Sequence, residues 1–108
     1  MAKILSNAFS FNMAGNFPCR VEADELSLKE FTKELKNSSW ESSIGHADMA
    51  AMLTAITGVE ITANRRNDSL SNGDVLLLAQ YSGPRLPEGA VALPDGAKIK
   101  FLRVTYFE

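Results

Sequence analysis

Val75-Leu76-Leu77-Leu78-Ala79 is an unbroken apolar run, and its reading decides the fold. An apolar run of this length fits a strand covered on both faces, because neither side of the pleat is left for water. Asn72-Gly73, just ahead of it, is a strong turn signal. A strand covered twice needs neighbours on both edges, and the chain carries candidates for them. Residues 2–6, Ala-Lys-Ile-Leu-Ser, read as a short first strand, and residues 19–23 alternate apolar and charged side chains as a second. Residues 59–63 read as another short strand. Residues 97–106 read as the last, with an alternation that shifts at Phe101-Leu102 and suggests a bulge.

Helices fall between these strands. Ser27-Leu28-Lys29-Glu30 is a capping box, in which the Ser27 oxygen accepts from the Glu30 amide and the Glu30 carboxylate reaches back. Leu26 and Phe31 occupy the hydrophobic-staple positions, and Leu28, Phe31 and Leu35 give one apolar face up to Asn37. Residues 42–57 form a second helical region, with Met49, Met52, Leu53 and Ile56 at helical spacing. Gly58 is its left-handed stop, and Ser43 or Gly45 is the expected cap at its start. Residues 7–18 are punctuated by Asn and Gly and read as a long loop pinned by Phe9, Phe11 and Met13. Gly83, Pro84, Pro87, Gly89, Pro94 and Gly96 make the stretch from Tyr81 to Gly96 loop-dominated. The expected fold is α/β (α+β), a mixed sheet of about five strands with helices packed on it.

The chain has 108 residues and reads as one domain, residues 1–108. Its core is thin, so pairing with a second copy would help it. A composition 45% hydrophobic and 22% charged is that of an ordinary globular domain and argues against disorder, collagen and coiled coil. A formal charge of −2 argues against a protein that coats long nucleic acid, which needs a basic excess. It leaves room for a small anionic ligand held by a few arginines. The lone Cys19 forms no intrachain disulfide, which suits a reducing, cytoplasmic setting. No apolar run approaches the roughly 20 residues that span a bilayer, so no membrane partner is expected.

Familiar catalytic patterns are missing: there is no phosphate loop, no paired CxxC and no HExxH. One His and one Cys do not build a zinc site without carboxylates or a second chain, and no metal or cofactor is expected. What remains is His46, the only histidine, at the start of the second helix. Free amides at a helix N-terminus attract anions, and an imidazole there suits proton transfer near neutral pH. The same position also suits an ordinary capping or surface histidine. Asp48 is a normal first-turn acid; it repels phosphate, so it should point away if an anion binds beside His46. Arg85 suits bidentate phosphate binding, with Glu88 orienting it, and both also suit a surface ion pair. Arg65-Arg66 suits an anion or a solvated strand end. Asn7, Ser10 and Asn12 follow the first strand, where α/β sheets bind ligands, but they also suit turn chemistry. Trp40 and Tyr81 suit base stacking, although Trp40 equally fits the core.

Four segments carry a family resemblance: Asn7-Ala8-Phe9-Ser10-Phe11-Asn12, Ser43-Ile44-Gly45-His46, Asn64-Arg65, and Gln80 followed by Arg85-Leu86-Pro87-Glu88-Gly89. In this order they resemble the viral ring nuclease family of type III anti-CRISPR proteins, over nearly the whole chain. The resemblance implies a homodimer that degrades cyclic tetra-adenylate, the second messenger of type III CRISPR defence, without metal. By matching position it implies His46 as the catalytic general acid, supported by Glu88 and Arg85. It implies ligand contacts from Asn7, Ser10, Asn12, Gly45, Arg65 and Gln80. Each phosphodiester brings its own nucleophile, the neighbouring ribose 2′-OH, so the expected products are short linear adenylates ending in 2′,3′-cyclic phosphate. Two rivals stand beside this reading: a dimer that sequesters the ring without cutting it, and a dimer that engages another polypeptide. A polynucleotide-binding regulator ranks last.

Overall fold

The computed structural model describes residues 2–86, 89 and 92–108. The elements run β1 (Lys3–Ser6), a 3-10 turn (Phe11–Met13), β2 (Arg20–Leu26), α1 (Leu28–Asn37), β3 (Glu41–Ser42), α2 (Ala47–Thr57), β4 (Val75–Ser82) and β5 (Lys98–Phe107). The strands form one five-stranded sheet in the order β2-β5-β4-β1-β3. β1 pairs parallel with β3 and with β4, while β5 runs antiparallel to β4 and to β2. The expected mixed sheet with two helices is the observed architecture.

β4 has neighbours on both edges and is covered on both faces, as its apolar run requires. Leu77 and Ala79 face the helices, where they meet Phe31 and Leu35 of α1 and Met49 and Leu53 of α2. Leu76 and Leu78 face the other way, in a second cluster with Ile4, Val104 and Tyr106. That second face is covered by the loop after β1 through Phe9 and Met13, and by Leu70. Phe11 does not join them: it is 57% exposed.

Several expectations need correcting. β5 pairs residue for residue with both neighbours through Phe101-Leu102, so there is no bulge. The adjacent apolar pair arises because Phe101 packs on the helix side and Leu102 on the other. Residues 59–63 are not a strand. The Ile61 amide and carbonyl both bond to Oγ1 of Thr54, leaving that backbone no sheet partner. The helix expected over 42–57 starts only at Ala47, and Ser42 belongs to β3. β4 continues to Ser82, into the stretch read as loop, and β2 continues to Leu26.

Local chemistry explains the helices. The capping box is present, with Glu30 N to Ser27 Oγ at 3.1 Å and Ser27 N to Glu30 Oε1 at 2.9 Å. The two Ser27 hydrogen bonds hold the Glu30 carboxyl below its ordinary value. Phe31 and Leu35 are buried, but Leu28 is exposed and is not part of the apolar face. Trp40 packs against the core and donates through Nε1 to the Leu35 carbonyl at 2.9 Å, so it is a core residue rather than a stacking platform. Gly58 closes α2 at φ 73, a left-handed geometry that glycine adopts at little cost. Among the described residues, no helix is long and apolar enough to cross a membrane.

Candidate functional site

Parallel pairing decides where the polar residues gather. Because β3, β1 and β4 run in one direction, whatever follows their C-terminal ends emerges at the same edge of the sheet. Asn7 follows β1, His46 follows β3, and Arg85 follows β4. Ligands of open sheets with parallel strands bind in this place. The three residues line one cavity of about 340 Å³, together with Asp48, Met49, Tyr81 and Leu86.

His46 is the N-cap residue of α2, with extended backbone at φ −131 and ψ 134, and its side chain makes no capping hydrogen bond. Neither Ser43 nor Gly45 caps the helix, contrary to expectation, because the helix starts only at Ala47, residues 43–46 stay outside regular structure, and Ser43 spends its hydroxyl on Asp68. The helical ladder opens with Ala50 N to His46 O at 3.1 Å, so the amides before Ala50 have no helical partner and face outward. The His46 ring is therefore exposed beside a concentration of N–H dipoles that favours an anion. Asp48 lines the same cavity. It does not point away, and its negative charge opposes the anion that the helix end attracts.

The other candidate residues divide. Arg65 is exposed and lies against the same helix end: a β-carbon at Gly45 would stand 3.9 Å from its Cγ. Gln80 lines a different trough, of about 560 Å³, on the sheet face away from the helices. That trough is floored by Val21, Leu78, Leu102 and Val104, and it shares Asn7 and Tyr81 with the His46 cavity. Ser10 caps the 3-10 turn, accepting from Asn12 N at 3.2 Å, and neither residue lines the His46 cavity. Their turn chemistry is what the structure displays. Tyr81 points its hydroxyl to the Pro84 carbonyl and so braces the start of the Arg85 segment. Glu88 lies outside the described residues.

Sequence reasoning missed an ion network built on a buried carboxylate, Asp68, that reaches Ser43 in the segment before His46. Asp68, its side chain 4% exposed, accepts from Ser43 Oγ and from Arg66 Nε at 2.9 Å. Arg66 also donates through Nη1 to Glu41 at 2.7 Å. The Glu41 hydrogen bond raises the Arg66 pKa against a partial burial that lowers it. Arg66 thus belongs to the fold, whereas its neighbour Arg65 lies at the helix end. No local pattern signals this, since Ser43 and Asp68 meet only through the folded chain. A further groove, of about 370 Å³, is lined by Glu30, Lys33, Glu34 and Arg103 on the α1 side. Glu34 there is paired with Lys3 at 3.3 Å and with Arg103, which leaves little charge for a ligand.

Comparison with known proteins adds lineage to this geometry. The STIV B116-like family model matches residues 3–101. B116 of Sulfolobus turreted icosahedral virus has a similar structure, with a TM-score of 0.83 and 30% identity, covering 96% of this chain and 98% of that one. Uncharacterized protein 26 of Sulfolobus islandicus filamentous virus (isolate Iceland/Hveragerdi) is 41% identical over 71 residues, 66% of this chain. The match spans only 59% of that relative's length.

Proposed function

The chain belongs to the STIV B116-like family, and from that premise and the site geometry we propose that it is a metal-independent nuclease of cyclic tetra-adenylate. It would remove the second messenger of type III CRISPR defence and so suppress that immunity on behalf of a virus. The observation that carries the reading is the meeting of an uncapped imidazole, His46, with Arg85 and Asn7 at the carboxyl edge of the parallel strands.

The chemistry asks little of the protein. A ribose 2′-oxygen attacks its neighbouring phosphorus as the P–O5′ bond breaks. The 2′-OH proton leaves to solvent, and the His46 imidazolium donates a proton to the departing 5′-oxygen. The products are linear adenylates with a 5′-OH and a 2′,3′-cyclic phosphate. Arg85 and the outward amides of α2 offset the charge that builds on the phosphoryl oxygens. Holding the 2′-oxygen, phosphorus and 5′-oxygen in line is the larger task, and we assign it to Asn7, which lines the His46 cavity, and to Gly45, the residue before His46.

The ring has near-twofold symmetry, and a homodimer with twofold symmetry presents each patch twice. Arg65 and Arg85 from two copies then face the ring's phosphates without making the chain basic. The apolar trough under Gln80, continuous with the site through Asn7 and Tyr81, is the face that a second copy would cover. The test is incubation of cyclic tetra-adenylate with the protein in chelator, followed by mass spectrometry. Linear fragments are expected from wild type and an intact ring from His46→Ala. An intact, bound ring with wild type would instead identify a sequestering protein.

A further inference from the structure

We infer that Asp68, acting through Ser43, is a positioning residue that holds the His46 end of α2 against the strand edge. The inference rests on the proposed function for its catalytic readout. Its starting point is a mechanical problem. The site needs His46 placed to within a fraction of an ångström, yet residues 43–46 are irregular chain between a two-residue strand and a helix. Regular secondary structure does not fix them.

Isolated backbone hydrogen bonds and side-chain bonds together do. On the β1 side, Ser43 N donates to Leu5 O at 2.8 Å. On the other side, every partner comes from the irregular segment 62–68. Ser42 Oγ donates to Thr62 O at 2.6 Å, Asn64 N to Ile44 O at 2.8 Å, and Asn64 Nδ2 to Ser42 O at 2.9 Å. Asp68 closes the clamp. Its carboxylate is almost fully buried, with one oxygen on Ser43 and the other on Arg66, which is tied in turn to Glu41 at the start of β3. A buried carboxylate is costly unless all its partners are held, so it locks whatever it binds. What it binds is the residue three before His46. The same clamp fixes Arg66, and with it the neighbouring Arg65 stem that lies against Gly45. A single buried acid thereby registers both the imidazole and a guanidinium.

The test uses the full chain and three variants: Ser43→Ala, Asp68→Ala and Ser43→Thr, which keeps the hydroxyl. Amide NMR reports on Gly45, His46 and Ala47, and single-turnover cleavage and equilibrium binding of cyclic tetra-adenylate report on the site. Both Ala variants are expected to shift the Gly45–Ala47 signals while the β4 and β5 signals stay in place. They should slow single turnover about tenfold or more with affinity within about threefold, and Ser43→Thr should recover most of the rate. The inference is overturned if Ser43→Ala cleaves within about twofold of wild type, if the Gly45–Ala47 signals do not move, or if all three variants lose dispersion across the whole chain. Should wild type leave the ring uncut, the proposed function fails alone. The NMR arm then decides the positioning: local shifts uphold it, and their absence overturns it.

Discussion

His46 and Arg85 line one cavity, the first from the N-cap of α2 and the second from the segment that leaves β4. They meet because β3 and β4 flank β1 in parallel, so both chain exits open at the same edge. If the imidazole is the proton donor and Arg85 a charge partner, their losses differ in kind. His46→Ala should slow cleavage by about 10²- to 10⁴-fold with affinity nearly kept. Arg85→Ala should weaken binding about tenfold or more, as expected for a lost charge-assisted contact to phosphate. Single-turnover rates set beside calorimetric affinities separate the two, and equal losses in both columns for His46→Ala would remove its assigned role.

Gly45 carries a prediction that separates fold from ligand. A β-carbon there would meet Arg65 Cγ at 3.9 Å, an ordinary contact, and Gly45 is not among the positive-φ glycines. Gly45→Ala should therefore fold normally and even gain about 0.5 kcal/mol from a stiffer unfolded chain. The same methyl group would keep a phosphate from the backbone at the helix end and should cost about tenfold in ring affinity. Thermal unfolding and a binding titration on one sample read both effects; unchanged affinity would mean that no ligand approaches that backbone.

Asp48 lines the cavity with Arg85 and His46. Replacing it by Asn removes a charge that repels phosphate. Asp48→Asn should tighten ring binding about three- to tenfold at low salt, with the gain fading as salt rises. Its favourable place in the first turn of α2 should cost about 0.5 kcal/mol of stability at the same time. Weaker binding in Asp48→Asn would indicate that the carboxylate receives a hydrogen bond from the ligand instead.

Acid sensitivity should track Glu34. Partial burial pushes its carboxyl up, but the Lys3 hydrogen bond and charge, and then Arg103, overcome this and leave it below the ordinary 4.5. A carboxylate lowered in the folded state adds stability that is complete above the unfolded value and is lost as pH falls through the folded one. Glu34→Gln should destabilise the chain by about 0.5–1 kcal/mol at neutral pH, the range of a partly open pair. The gap from wild type should close as pH drops below the ordinary carboxylate range. Urea midpoints across pH give the answer, and a gap that persists in acid would assign the loss to packing.

Legibility in the sequence followed the range of the interactions. The Ser27-Glu30 capping box and the Gly58 stop were readable because each is complete within one helical turn. The Val75 run was readable because double burial leaves an unbroken apolar pattern. β3 was not readable, since two residues carry no period. Residues 59–63 misled because Val59 and Ile61 pack on the core while Thr54 takes the backbone bonds at Ile61. His46 could be placed in or beside a first helical turn from the apolar spacing after it, but its sharing of one cavity with Arg85 depends on parallel strand order, and Ser43–Asp68 on a contact across the fold.

The most direct measurement is phosphorus NMR of cyclic tetra-adenylate mixed with equimolar protein in chelator. With wild type, each cut diester is expected to give one separate, strained five-membered cyclic phosphate resonance while the uncut diesters of the linear products remain; with His46→Ala no such resonance should appear. A spectrum that shows no cyclic phosphate resonance after prolonged incubation with folded wild-type protein would contradict the proposal.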